Sequence, residues 1–243
     1  MKPSSYYTFP ELSPYIRTDR YEEPKSLFVH TFEKMSKHID IKNGQGTLAD
    51  LGCANGEFLY YLKKQLGSGW QMKGIDSEQK FIEVASSFPG LKNIEFKTGD
   101  MFEVEGPIDV VTCIGTMQIF VDIEVALGKI INIVAEGGWL FLTGLFNPYD
   151  VDVVYQFRDH SKPQVASQWR CDFNIHFQTR ISNYLQGKCK YFDFVQIKMD
   201  IDIPRKPDSP HMHQWTETLS NGEKLTTHGG RLITDKWLVT INK

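Results

Sequence analysis

The sequence predicts an α/β protein whose largely parallel sheet is covered by helices on both faces. Three observations lead there. Between residues 47 and 146, short apolar runs alternate with amphipathic stretches of helical period. The apolar runs are nearly unbroken, which marks strands buried on both faces rather than on one. The first run passes through a glycine-bearing turn directly into a helical pattern, as a βα unit does.

Taken in order, the first 23 residues set Tyr6, Tyr7, Phe9, Tyr15 and Tyr21 among Pro3, Pro10 and Pro14 and read as an irregular arm. A helix begins at Pro24, a residue suited to a first helical position, and places Phe28, Phe32, Met35 and Ile39 on one face. Asn43-Gly44-Gln45-Gly46 is the turn that ends it. Strands are then predicted at 47–51, 70–75, 94–98, 108–114 and 138–145, and helices at 57–66, 77–88 and 122–135. In the last helix Ile123, Leu127, Ile130 and Val134 form one stripe.

From residue 147 the periodicity is mainly that of strands. Long strands are expected at 191–203 and 235–242, and Ser220-Asn221-Gly222 makes a hairpin of 216–219 with 223–226. Pro204, Pro207 and Pro210 mark a loop. No internal repeat or linker divides the 243 residues, so one domain is expected. Its parts are an arm and helix (1–46), a ligand-binding core (47–146) and a β-rich C-terminal region (147–243).

Composition narrows the function classes. Sixteen Phe, 10 Tyr and 5 Trp supply a core and exclude a disordered chain. Lys plus Arg total 27 against 30 Asp plus Glu, so the basic excess of a general nucleic-acid binder or polybasic membrane protein is missing. No apolar run approaches the ~18 residues of a membrane span, and Met1–Tyr7 lacks the apolar centre of a signal peptide. A cytoplasmic protein is expected. Cys53, Cys113, Cys171 and Cys189 form no C-x-x-C pair or zinc-spaced cluster, so neither a metal nor a disulfide framework is expected.

The chemistry concentrates in Asp50-Leu51-Gly52-Cys53-Ala54-Asn55-Gly56, where an apolar strand ends in an acid and a glycine turn feeds a helix. Such a turn lets backbone amides approach a ligand closely. Asp76, followed by Ser77, ends the second strand, and Asp100-Met101 follows the third. A carboxylate at the second strand's end suits a ribose, whose two hydroxyls offer adjacent donors. Asp76 and Asp100 also stand where Asp commonly caps a helix, so that reading stays open. The turn lacks the third glycine of a dinucleotide fingerprint and the Lys-Ser or Lys-Thr of a P-loop. Its acids favour a cofactor carrying positive charge.

These segments resemble the class I S-adenosylmethionine-dependent methyltransferases in five ordered motifs from about Ala49 to Leu145. The resemblance implies a Rossmann-like methyltransferase fold: a mostly parallel seven-stranded sheet whose last strand is antiparallel. It also implies that Asp50, Gly52, Cys53, Ala54, Asn55 and Gly56 surround the methionine part of S-adenosyl-L-methionine. By the same resemblance Asp76 and Ser77 hold the ribose, Asp100 and Met101 flank the adenine, and Ile114 and Gly115 lie beside the sulfonium. Glu136-Gly137-Gly138-Trp139-Leu140 matches the turn into the fifth strand. Two departures stand out: Ala54 replaces the middle glycine, and Glu136 replaces a proline.

The acceptor side is expected after the fifth strand and in the N-terminal arm. His160, His211 and His213 are candidate bases by placement, and Tyr15 with Arg20 is a candidate pair for the methionine carboxylate. The expected acceptor is a small molecule methylated on oxygen or nitrogen, such as a sugar, and nucleic acid and membrane partners are not expected. A non-catalytic S-adenosylmethionine-binding protein and a nicotinamide-dependent oxidoreductase are the competing classes.

Overall fold

The computed structural model describes residues 16, 19–41, 43–158, 160, 169–198, 202–205, 214–228 and 233–243, and the statements below concern these. The elements follow the chain as α1 (Ser26–Met35), β1 (Gly46–Leu51), α2 (Glu57–Gln65), β2 (Trp70–Asp76) and α3 (Gln79–Ser87). Next come β3 (Glu95–Thr98), β4 (Ile108–Cys113), α4 (Ile123–Ile133) and β5 (Val134–Asn147). The C-terminal region supplies β6 (Gln156–Phe157), β7 (Arg170–Cys171), β8 (Ile175–Phe177), α5 (Gln178–Leu185), β9 (Tyr191–Ile197), β10 (Trp215–Thr218), β11 (Lys224–Thr227) and β12 (Lys236–Asn242).

The main sheet runs β3-β2-β1-β4-β5-β12-β9, with β8 added beside the end of β5. β1 pairs in parallel with β2 and β4, and β4 with β5. β12 is antiparallel to both β5 and β9. This is the expected seven-strand path with one antiparallel strand. The order reverses between β1 and β4, so the ligand-binding crevice of such a sheet lies at their carboxyl ends.

Period-2 alternation sorts the strand residues between two clusters. Leu48, Val110, Phe141 and Leu238 pack with Phe28, Leu59, Leu62 and Ile82 under α1, α2 and α3. Ala49, Val111, Leu140 and Val239 pack with Leu127, Ile130, Ile181 and Leu185 under α4 and α5. The sheet is thus buried on both faces, as its nearly unbroken apolar runs require.

The C-terminal region departs from the sequence expectation in more than one respect. The strand expected at 191–203 ends at Ile197, and described residues 198 and 202–205 are not strand. The region also contains α5, whose buried Ile181 and Leu185 stand four residues apart. Eight residues with only that pair buried give a weak periodic signal, and strands on either side mask it. The hairpin forms one residue wider than expected, pairing Trp215 with Thr227 and Thr218 with Lys224.

Candidate active site

Every parallel strand from β1 to β5 delivers a loop to one edge, and the first of these loops carries the glycine turn. After β1 the backbone takes left-handed conformations at Gly52 (φ 74°), Ala54 (φ 47°) and Gly56 (φ 82°). At Gly52 a side chain is excluded twice, by this φ and by Thr116, whose Oγ1 would collide with a Cβ. The amides of Gly52 and Cys53 both donate to Ile75 O, at 2.8 and 3.0 Å, which ties the loop to the end of β2.

Asp76 completes that tie. Its Oδ2 accepts from Ala54 N at 2.8 Å and its Oδ1 from Glu78 N at 2.9 Å. The helix-cap reading of this acid does not hold: Glu78 is the N-cap of α3 and no side chain caps it, so the bond to Glu78 N closes a turn ahead of the helix while the other oxygen faces the β1 loop. Burial raises its pKa, against the pull of these backbone donors. Each oxygen keeps a further lone pair, enough to accept from two neighbouring hydroxyls. Ser77 beside it is exposed. Asp100 accepts from Phe102 N at 2.9 Å and caps a single 3₁₀ turn, Met101–Glu103. Met101 packs partly against the α4-side cluster.

Asp50 sits within β1, sealed at 2% exposure, and accepts from Thr112 Oγ1 at 2.7 Å. Burial pushes its pKa up to about 7, with the Thr112 bond opposing and Asp76 adding to the rise. It lies beneath the loop and holds β1 to β4. Cys53 and Cys113 are also buried, and burial drives both thiols upward, so neither is a thiolate nucleophile. After β4, Gly115 N donates to Thr143 Oγ1 of β5 at 2.8 Å, and Ile114 is half-buried beside it. A Cβ built at Gly99 or Gly115 meets no atom within 4 Å, so backbone at both positions lies open to a ligand.

The N-terminal segment is fastened to this loop. Tyr21 is buried, stacks on Phe88 with ring centroids 3.9 Å apart, and donates from its hydroxyl to Asn55 O at 2.7 Å. Burial first, then the Glu57 charge, pushes the Tyr21 phenol up to about 12. Glu57 is buried at the first turn of α2, where a carboxylate complements the helix dipole, and pairs with Lys25 at 2.7 Å. Arg20 also turns to Glu57, at 3.9 Å. Arg20, expected at a ligand carboxylate, faces a carboxylate of the protein instead. Tyr15 lies outside the described residues.

Beyond the carboxyl ends of β4 and β5 stand groups that sequence reasoning missed. Asn174 is fully buried; its Oδ1 accepts from Tyr155 N at 3.0 Å, which leaves Nδ2 buried without a partner. Its own amide donates to Gln118 O at 2.9 Å, and Gln118 Nε2 reaches Gly115 O at 2.6 Å. Two residues earlier, Asp172 accepts from Phe173 N at 2.7 Å, and Phe173 holds a left-handed φ of 58°. Burial pushes the Asp172 carboxyl up to about 7 although part of it still meets solvent. No spacing motif marks this loop; a non-glycine residue in left-handed backbone has no sequence signature. Of the histidine candidates, His160 is exposed, and His211 and His213 lie outside the described residues. His176 is buried with Nε2 3.0 Å from Phe120 O, and burial lowers its pKa. Among the described residues no cluster of three His, Cys, Asp or Glu side chains could hold a metal ion.

A family profile described as a methyltransferase domain matches residues 42–169, more than half of the chain. The protein belongs to that methyltransferase family. A methyltransferase of Bacillus subtilis named YcgJ is 26% identical over 170 residues, 63% of this chain and 62% of that relative's length. The crystal structure of YcgJ superposes with a TM-score of 0.55 at 15% identity, over 88% of this methyltransferase and 98% of that chain. A putative methyltransferase of Haloferax volcanii, solved with the activator Trm112, gives a TM-score of 0.60 at 16% identity, covering 97% and 98%. The N-terminal domain of EvdMO1, crystallised with S-adenosylhomocysteine and D-fucose, gives 0.53 at 14% identity, covering 89% and 82%. Membership of a methyltransferase family implies S-adenosylmethionine as the cofactor. The donor set fits it: the spare lone pairs of Asp76 suit a ribose, and open backbone at Gly99 and Gly115 leaves room on either side.

Proposed function

We propose that the protein transfers a methyl group from S-adenosylmethionine to an oxygen or nitrogen of a small-molecule acceptor at the carboxyl edge of β1, β4 and β5. The observation that carries this reading is the bond from Ala54 N to Asp76 Oδ2. It joins the glycine loop to the strand-end acid in one ready-made surface. When bound, the cofactor supplies an electrophilic methyl on sulfur.

The chain's own residues would do four things. Asp76 accepts from the ribose hydroxyls, and the turn that follows Asp100 borders the adenine. Gly52 to Gly56 present backbone to the methionine part. Gly115, tethered to Thr143, fixes the backbone beside the reacting centre. Asn174 offers an unpartnered amide to an acceptor oxygen, and Asp172, with a carboxyl near neutrality, takes the acceptor's proton when it is a hydroxyl. Orientation and exclusion of water supply the rest of the rate.

A sugar or a related polar intermediate suits this polar and aromatic rim. The presence of D-fucose in the EvdMO1 structure is a fact about that protein. A panel of hydroxylated and aminated metabolites, assayed for S-adenosylhomocysteine release, tests the proposal. Turnover of at least one acceptor, lost in Asp172→Asn with cofactor affinity retained, is the expected result. Cofactor binding with no turnover of any class would support a non-catalytic binder instead.

A further inference from the structure

Lys236 opens β12 at the same carboxyl edge. It stands opposite Leu145 of β5 on one side and Ile197 of β9 on the other. It shares the strand parity of Leu238, which packs with Phe28 and Phe58, so it belongs to the α1–α2 face where Lys25 and Glu57 pair. Leu145 carries Ile175 of β8 on its other flank. Two inter-strand steps place Ile175 and Lys236 about 10 Å apart, the span of a small molecule. The Gly115 tether to Thr143 lies two residues down β5 between them.

The charge of Lys236 is not compensated. Among the described residues no carboxylate or other acceptor partners its ammonium. Lys25, close enough to repel it, is already matched by Glu57 at 2.7 Å. Part of the Lys236 side chain still meets solvent, yet protein crowds it. Burial first and Lys25 second bring its pKa down to about 8. At neutral pH it is therefore still mostly an ammonium, which makes it a receiver of anions rather than a base. A crowded cation without a counter-charge is unfavourable in the free protein, and a ligand that supplies the missing charge relieves it.

We infer that Lys236 receives an anionic group, a carboxylate or a phosphate ester, carried by the methyl acceptor. This rests on the small-molecule reading above and narrows it. Trace acetylation of lysines, read by mass spectrometry across a pH series, tests it on the whole protein saturated with S-adenosylhomocysteine. Lys236 should half-react near pH 8, and inorganic phosphate or acetate should move that midpoint upward relative to chloride at equal ionic strength. A shift of about one pH unit corresponds to tenfold tighter anion binding by the ammonium form. Phosphate acting where acetate does not assigns a phosphate ester, and the reverse assigns a carboxylate. The anion that moves the midpoint should raise the melting temperature of wild type and Lys236→Arg but not of Lys236→Gln.

Two results overturn the inference. In one, S-adenosylhomocysteine binds but neither anion moves the midpoint. In the other, S-adenosylhomocysteine alone produces the whole shift, which would give Lys236 to the cofactor's own carboxylate. Failure of S-adenosylhomocysteine to bind at all is a different outcome, and it removes the methyltransferase reading itself.

Discussion

The two halves of the carboxyl edge satisfy their polar groups to different degrees. Around β1, β2 and β4 the acids at the strand ends are partnered within the protein: Asp76 with two backbone amides, Asp50 with Thr112, Asp100 with Phe102 N, while Asn55 Nδ2 in the loop is buried without a partner among the described residues. Around β5, β8 and β12 the polar groups are left wanting: among the described residues Asn174 Nδ2 is buried and unpartnered and Lys236 has no counter-charge. The first half is preorganised, so its ligand finds a rigid surface and pays little to order it. The second half carries polar groups at a cost in stability, a pattern that points to a ligand with matching donors and charges.

Replacing parts of the preorganised half should show its rigidity most strongly. Asp76→Ala removes the ribose acceptor and unties Ala54 N. Its cofactor affinity by calorimetry should fall about 30-fold or more, the scale of a charge-assisted bond pair. Gly52→Ala should come next. It forces a side chain into left-handed backbone against Thr116, a cost of about 1–3 kcal/mol that a thermal melt would register as a loss of several degrees.

Asp50 gives a pH signature. Its folded pKa, about 7, stands above the ordinary value of 3.8, so between these pH values the unfolded chain has lost a proton that the folded one keeps. The contribution of Asp50 therefore falls as pH rises from about 4 to about 7 and is lowest above that window. Asp50→Asn keeps a group able to meet Thr112 and should be relatively more stable than wild type at pH 8 than at pH 5. Equal differences at both pH values would show that Asp50 is ionised in the folded protein throughout.

Smaller effects probe the strap and the loop. Tyr21→Phe deletes one buried hydrogen bond to Asn55 O and should cost about 1 kcal/mol in unfolding free energy, with a matching modest loss of cofactor affinity. A loss of stability without any change in affinity would confine the strap to packing. Ala54→Gly should stabilise by about 0.5–1 kcal/mol, because alanine at φ 47° carries a strain that glycine does not. That gain would show the alanine to be a tolerated departure rather than a needed side chain.

The same contrast governs what the sequence made legible. The β1 loop is written locally: seven consecutive residues hold the strand end, the turn and the helix start, and residue type follows from backbone conformation. Asp76 and Asp100 were found because each ends a strand whose place is fixed by period. Predicted strands 47–51 and 108–114 fall within one residue of β1 and β4. The acceptor side is assembled from contacts distant in sequence. Asn174 meets Gln118, and Lys236 meets Leu145, pairings that no local pattern encodes. Arg20 shows the opposite limit: its charge was visible, but its partner, Glu57, was available only once α2 and the arm had folded together. Lys236 in particular looks like an ordinary strand-flanking lysine until the missing counter-charge is seen.

What the Gly52–Gly56 loop and Asp76 bind decides the function of the carboxyl edge. Calorimetric titration of the intact protein with S-adenosylmethionine and, separately, with NAD measures this directly. Saturable binding of S-adenosylmethionine at one site per chain, and none of NAD at the same concentrations, is the expected result. Saturable binding of NAD without S-adenosylmethionine binding would contradict it.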